Sequence, residues 1–177
     1  NVDVLMISGD SAAREAIRPI ARREEKLFFY NTAYEGGVAD KWNINTGLVP
    51  EQGFATLVEA MMEEHGQSVY ILAPDYVWGE LGTLWTEKYV NELGGEIVGS
   101  ESKPLEVADF TSTIDRIENS KADWIMLLLT GSEQMAFFEQ RYSRGIDIPM
   151  ADFVITIGQQ GEHLRNDPPI LQGLYET

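Results

Sequence analysis

The sequence contains no cysteine and only two histidines, His65 and His163. The lack of cysteine excludes disulfides and thiolate-bound metals, and it leaves the cellular compartment open. A zinc site or a catalytic triad built on imidazole would need one of these histidines within a suitable motif. They lie far apart in the sequence and neither stands in such a motif, so we expect no metal site.

Long apolar runs are also missing. The longest, residues 124–129, has the length of a strand and falls far short of the roughly 18 apolar residues that cross a bilayer. The 177 residues are 44% hydrophobic and 24% charged, which is ordinary for a soluble globular chain of one domain or two small ones.

Basic residues are few and unevenly distributed. The chain has 13 Lys and Arg against 29 Asp and Glu, for a net charge of -16. Residues 1–47 carry 6 basic and 7 acidic residues, whereas residues 48–177 carry 7 and 22. Such an acidic surface repels nucleic acid and anionic lipid, so we expect neither as a partner. Solvated helix faces explain this charge more simply than a docking surface does.

Short apolar runs alternate with segments of helical periodicity. The predicted strands are residues 2–7, 27–30, 68–73, 96–102, 123–129, 148–154 and 171–177. Between the first two, residues 11–24 form a predicted helix that contains Pro19, which should kink it. Its predicted inward face consists of Ala13, Ala16, Ile17, Ile20 and Ala21.

The order of these elements indicates the class of fold. No hairpin signal joins consecutive strands, so the pattern predicts an α/β fold with a Rossmann-like, doubly wound parallel sheet and helices on both faces. The alternation lapses in residues 36–50, which are loop-like with a short extended stretch. We therefore predict a division into residues 1–47 and residues 48–177.

The segments that follow the predicted strands are rich in hydroxyls, amides and aromatic rings. They read "SGDS", "NTAYEGG", "PDYVWGE", "TGSEQ" and "ITIGQQ". In an open parallel sheet, ligands bind at the carboxyl ends of the strands, and this mixture suits a small polar ligand. Packing is an equal alternative for the individual tyrosines.

Catalysis and cofactor binding are not indicated. No segment fits a glycine-rich phosphate loop, and no base is paired with a nucleophile. Asp10 and Asp75 could form an acid–base pair, but they belong to different predicted halves and both suit turns. We expect no cofactor and no enzymatic activity.

Several segments together resemble a known family. They are "SAAREAIRPI", "FFYNTAYEGG", "NTGLVPEQ", "APDYVWGE", "ELGGEIVGSESKPLEVADFTSTIDRI" and "ADWIMLLLTGSEQMAFFEQ". Their order and spacing are similar to those of the type I periplasmic binding proteins of the Leu/Ile/Val-binding group, in particular the amide- and urea-type substrate-binding proteins of ABC transporters. The resemblance implies two Rossmann-like lobes that close on a ligand.

The resemblance also implies particular ligand contacts. Ser11 matches the serine that starts a helix and bonds the polar head of the ligand. Tyr30 and Thr32 match the residues of an aromatic-x-Thr-x-Tyr-Glu-Gly loop, and Tyr76 matches a tyrosine that covers the ligand on closure. The remaining second-lobe positions that it indicates are Trp78, Thr130 and Thr156.

The family's chain is longer at both ends. The resemblance therefore implies that residues 1–47 are the last part of an incomplete first lobe and that residues 48–177 are a nearly complete second lobe. Apolar surface that further strands and helices would cover should then be exposed, which predicts self-association of this fragment.

Three functions follow as hypotheses. The first is an extracytoplasmic solute-binding protein, periplasmic or extracellular, that captures a short-chain amide, urea or an amino acid and delivers it to an ABC-transporter permease. Asp10 beside Ser11 would oppose a ligand carboxylate, which favours a neutral ligand. The second is a cytoplasmic amide-sensing regulatory protein of the same fold. The third, a flavodoxin-like or Rossmann-like enzyme, is disfavoured by the missing phosphate loop and base.

Overall fold

The computed structural model describes residues 2–154, 161, 165, 170–171 and 173–176. Within these ranges the strands are β1 Val4–Ile7, β2 Leu27–Tyr30, β3 Asn43–Asn45, β4 Ser68–Pro74, β5 Glu96–Lys103, β6 Trp124–Leu127, β7 Met150–Asp152 and β8 Leu174–Glu176. The helices are α1 Ser11–Arg23, α2 Pro50–Glu64, α3 Val77–Glu92, α4 Thr111–Ser120 and α5 Gly131–Ser143. In this described part of the chain, no helix is long and apolar enough to span a bilayer.

The strands form two separate parallel sheets. One has the order β1-β2-β3 and the other the order β5-β4-β6-β7-β8, and every pair of neighbours is parallel. The predicted α/β class with parallel sheets is confirmed. We call the sheet β1-β2-β3 together with α1 the three-stranded unit. We call the sheet β5-β4-β6-β7-β8 together with α2 to α5 the five-stranded unit. The division into lobes at residue 47 stays a prediction.

The five-stranded unit is a sheet covered on both faces. The run of apolar residues in β4 alternates between the two faces: Ile71 lies in the core beneath α2 and α3, whereas Leu72 lies in the core beneath α4 and α5. Both side chains are fully buried. A strand buried on both faces reads as a continuous apolar run, which is why β4 and β6 were recognisable in the sequence.

The inward face of α1 differs from the prediction. The helix begins at Ser11, where the Asp10 carboxylate accepts a hydrogen bond from the Ala13 amide at 2.7 Å, and it continues through Pro19. Arg14 is 1% exposed, whereas Ile20 is 48% exposed. Ala21 is buried and Ile17 packs against the same cluster, as predicted. The apolar periodicity failed at Ala16 and Ile20, which are exposed, and it missed Arg14, which turns inward because a buried carboxylate on the facing loop pairs with it.

The three-stranded unit has one apolar face open to solvent. The predicted strand in residues 2–7 is present as β1, but the side chains of Val4 and Met6 are exposed, as are those of Leu27 and Ile44 on the neighbouring strands. Among the described residues, α1 covers the other face, where Phe28 and Tyr30 are buried. The predicted self-association depends on this open face and stays a prediction.

Candidate functional site

A cavity of about 160 Å³ lies between the two units. Its walls come from the segments that follow the carboxyl ends of five strands, β1, β2, β4, β6 and β7. This is where ligands bind in open parallel sheets. The residues that line it are Gly9, Asp10, Ser11, Tyr30, Thr32, Ala33, Tyr76, Trp78, Thr130 and Val154.

The structure brings together six of the residues predicted to contact a ligand. These are Ser11, Tyr30, Thr32, Tyr76, Trp78 and Thr130, and all of them line the cavity. Thr156, the seventh, lies outside the described residues. The resemblance to the family had implied that these residues share one site, and their role as ligand contacts stays a prediction.

On the three-stranded side, two hydroxyls bind the backbone of Gly9. The Tyr30 hydroxyl donates to the Gly9 carbonyl oxygen at 2.8 Å, and the Gly9 amide donates to Thr32 Oγ1 at 3.0 Å. These bonds join the turn after β1 to the end of β2. The Thr32 side chain also hydrogen-bonds with the Tyr30 side chain, which lowers the pKa of Tyr30 against the larger effect of burial.

On the five-stranded side, two residues that precede helices line the cavity together with one tryptophan. Tyr76 precedes α3 and Thr130 precedes α5. The Trp78 indole donates to the carbonyl oxygen of Leu128 at 2.9 Å. This bond fixes the ring as a wall of the cavity, with only 3% of the residue exposed.

The tyrosine hydroxyls of the cavity are uncharged at neutral pH. Burial raises the pKa of Tyr76 to about 12, and the negative charges of Asp10 and Glu35 act in the same direction. Burial also raises the pKa of Tyr30, again with help from Glu35. The hydroxyls therefore act as neutral hydrogen-bonding groups in a region of negative potential.

Formal charge at the cavity is carried by one carboxylate. Asp10 is acidic, and none of the described residues that line the cavity is Lys or Arg. Asp75, considered above as its partner in acid–base chemistry, is not among those lining residues. The described cavity is therefore suited to binding rather than to proton transfer between two carboxylates.

The sequence analysis missed Arg14 and Glu35, which lie behind the cavity. The two side chains form a buried ion pair, and the Arg14 guanidinium carbon lies 5.1 Å from the centre of the Tyr30 ring. Glu35 stood within the motif "FFYNTAYEGG", but no partner for it could be identified. The sequence feature that could have indicated the pair is Arg14, a charged residue at a position of α1 that faces the sheet.

A second buried carboxylate, Asp152, ends β7 two residues before the cavity wall at Val154. Burial raises the pKa of Asp152 to about 7, although the amide of Val154 donates to Oδ1 at 2.7 Å and opposes the shift. Glu176, its neighbour on β8, raises the pKa further. The Gln134 side-chain amide donates to the other carboxylate oxygen.

We expect Asp152→Asn to change the dependence of stability on pH. The unfolded chain releases the Asp152 proton near pH 4, whereas the folded protein retains it up to about pH 7. The free energy of unfolding of the wild type therefore loses a contribution as pH rises from 4 to 7. Asp152→Asn lacks this loss, so its stability relative to the wild type should rise across the window and level off above it.

Denaturant unfolding of both proteins between pH 4 and 8 measures this difference. Glu176→Gln is the matched variant, because it removes the neighbouring negative charge. It should lower the pKa of Asp152 in the folded protein, so that the loss of stability ends at a lower pH. Parallel stability profiles for the wild type and Asp152→Asn would contradict the prediction.

The sequence profile of one family, described as periplasmic binding protein, matches residues 1–177. No curated protein matches the sequence.

Solved structures with the same fold come from several bacteria. A branched-chain amino acid ABC transporter periplasmic ligand-binding protein from Burkholderia xenovorans LB400 is 21% identical, with a TM-score of 0.73 over 91% of this chain and 45% of its own. An amino acid ABC transporter substrate-binding protein from Pseudomonas fluorescens Pf-5 is 19% identical, with a TM-score of 0.77 over 96% and 47%. A solute-binding protein from R. palustris in complex with 4-hydroxybenzoate is 18% identical, with a TM-score of 0.72 over 84% and 42%. The chain thus spans less than half the length of these proteins.

Proposed function

The chain belongs to the periplasmic binding protein family, and we propose that it captures a small polar ligand between its two units as part of an ABC-transporter solute-binding protein. The observation that carries this proposal is the cavity at the carboxyl ends of five strands, where hydroxyls from both units converge. The proposal includes delivery to a transporter permease, a periplasmic location and no catalytic step. We also propose that residues 1–47 belong to one lobe and residues 48–177 to a second.

The ligand that we propose is neutral, such as a short-chain amide or urea. The Asp10 carboxylate lines the cavity and Glu35 lies buried behind it, while Arg14, which lies against the Tyr30 ring, already pairs with Glu35. A ligand carboxylate would meet this negative potential, and none of the described residues that line the cavity is a Lys or Arg that could compensate it. The related structures named above include amino acid transporter proteins and a complex with 4-hydroxybenzoate. An amino acid and 4-hydroxybenzoate are therefore the compounds to compare with a neutral amide.

A thermal unfolding assay with four compounds tests the proposal. The compounds are acetamide, urea, leucine and 4-hydroxybenzoate, each at millimolar concentration. A compound with a micromolar dissociation constant should stabilise the protein by about 4 kcal/mol under these conditions. We expect the stabilisation with acetamide or urea and none with the two carboxylates.

Asp10→Asn separates the charge of residue 10 from its structural role. Asn caps a helix about as well as Asp, so α1 should remain intact while the cavity loses its carboxylate. Binding of the 4-hydroxybenzoate anion should then improve about tenfold, and that of leucine by less, because leucine also carries an ammonium group that Asp10 attracts. Asp3→Asn is the matched control, since Asp3 lies on the surface outside the cavity. Stabilisation of the wild type by leucine or 4-hydroxybenzoate alone would contradict the neutral ligand, and no effect of any compound would contradict capture of these ligand classes.

A further inference from the structure

Arg14 and Glu35 form an ion pair that is almost completely shielded from water. Their side chains are 1% and 0% exposed. Two parallel hydrogen bonds join them, from Arg14 Nη1 to Glu35 Oε2 at 3.1 Å and from Nη2 to Oε1 at 2.5 Å. A third bond, from Arg14 Nε to Glu15 at 3.0 Å, holds the guanidinium plane. The pair is therefore fixed in direction as well as in distance.

Stability alone is a weak reason for such a pair. Removing two charges from water costs several kcal/mol per ion, and apolar residues of similar volume are often as stabilising. Neither residue lines the cavity.

The pair holds the loop that follows β2. The guanidinium carbon of Arg14 lies 5.1 Å from the Tyr30 ring centre and 5.2 Å from that of Tyr34. The Tyr34 hydroxyl donates to the carbonyl oxygen of Val38 at 3.0 Å and accepts from its amide. Residues 30–38 are thus anchored to α1 through one side chain.

The same loop makes a hydrogen bond to the other unit. The carbonyl oxygen of Glu35 accepts from the Trp85 indole on α3 at 2.8 Å. Gly36 and Gly37 follow with φ of 97° and 84°, which turns the chain away directly after the acceptor. Glu35 is therefore held by α1 through its side chain and presented to α3 through its backbone.

We propose that Arg14 and Glu35 are positioning residues for the closed arrangement of the two units. Their ion pair sets the Glu35 carbonyl oxygen where the Trp85 indole docks, and it also supports the Tyr30 wall of the cavity. The inference rests on the proposed function in that closure forms the ligand cavity. Its test requires no ligand.

The test measures solvent exchange of the tryptophan indole protons by NMR in the ¹⁵N-labelled 177-residue chain. Trp85→Phe assigns the Trp85 signal. The indoles of Trp78 and Trp124 serve as internal references, because they donate to carbonyl oxygens within the five-stranded unit, those of Leu128 and Gly66.

Two variants of the pair separate positioning from stability. Glu35→Gln removes one charge, and the double variant Arg14→Met, Glu35→Met removes both and should fold even where the single variant does not. In each folded variant we expect exchange of the Trp85 indole proton to be about tenfold faster, with Trp78 and Trp124 unchanged. Arg18→Lys is the matched control, since Arg18 lies on the same helix and pairs with Glu15 and Asp40 instead.

The outcomes are distinct. Selective loss of Trp85 protection in the double variant supports the inference. Unchanged Trp85 exchange in that folded variant overturns it, and so does equal acceleration of all indoles, which would mean that the pair acts only through global stability. Either result stands whether or not acetamide or urea binds, so failure of this inference and failure of the proposed function remain distinguishable.

Discussion

Replacement of Trp78 by alanine should lower the free energy of unfolding by about 3–5 kcal/mol. The ring is 3% exposed and packs against the stacked rings of Phe54 and Phe153, with centroid distances of 5.9 and 5.5 Å. Its loss leaves a large void and removes the hydrogen bond to the buried carbonyl oxygen of Leu128. Denaturant unfolding measures the change, and the cavity should lose ligand affinity together with this wall.

Two further variants provide reference values for the cost of Trp78→Ala. Trp78→Phe keeps an aromatic ring in place but leaves the Leu128 carbonyl oxygen without this donor, so it should cost about 1–2 kcal/mol. Trp42→Ala removes a half-buried ring that lies under the Lys41 ammonium group, and its cost should be smaller than that of Trp78→Ala. If Trp42→Ala and Trp78→Ala lowered the free energy of unfolding equally, the prediction for Trp78 would be wrong.

Gly47→Ala should cost about 2–3 kcal/mol and loosen the Thr32 side of the cavity. A Cβ atom at position 47 would lie 1.9 Å from the carbonyl oxygen of Thr32 and 2.4 Å from its carbonyl carbon. Because the obstacle is backbone, the loop after β2 must move as a whole. The bond from the Gly9 amide to Thr32 Oγ1 should then lengthen or break.

Gly9→Ala is the matched control for Gly47→Ala. A Cβ atom at position 9 would meet Ile7 and Ala13 at 3.6 and 3.8 Å, which are ordinary contacts. Denaturant unfolding gives the cost of each variant, and the amide signal of Thr32 reports the loop in both. If both variants unfold at the wild-type denaturant concentration, the close approach of Gly47 to Thr32 does not constrain the site.

Trp78 and Gly47 stabilise opposite sides of one cavity. Trp78 belongs to the aromatic core of the five-stranded unit, whereas Gly47 lets the chain after β3 pass close to the end of β2. Gly53 adds to the first support, since a Cβ atom there would lie 1.5 Å from the Phe153 ring. The site is thus held from both units by packing behind its polar groups.

Much of the fold could be predicted from the sequence by itself. Strands buried on both faces, such as β4 and β6, appear as unbroken apolar runs, and α2 shows its buried face in Phe54, Leu57 and Met61. The position of the site followed as well. Parallel strands present their carboxyl ends at one edge, so residues that follow neighbouring strands of one sheet, such as Tyr76 after β4 and Thr130 after β6, had to come close together.

Other features were decided by tertiary structure. β3 is a short polar strand, and its pairing with β2 through Tyr30 and Asn45 depends on a neighbour that its own residues do not indicate. Arg14 turns inward because Glu35, 21 positions later, reaches the same place in the fold. The sequence by itself therefore determined the order of the elements and the edge that carries the site, since these depend on local periodicity and strand direction. Only the tertiary structure decided which polar groups pair behind the site and where glycine is required, because both depend on contacts between residues far apart in the chain.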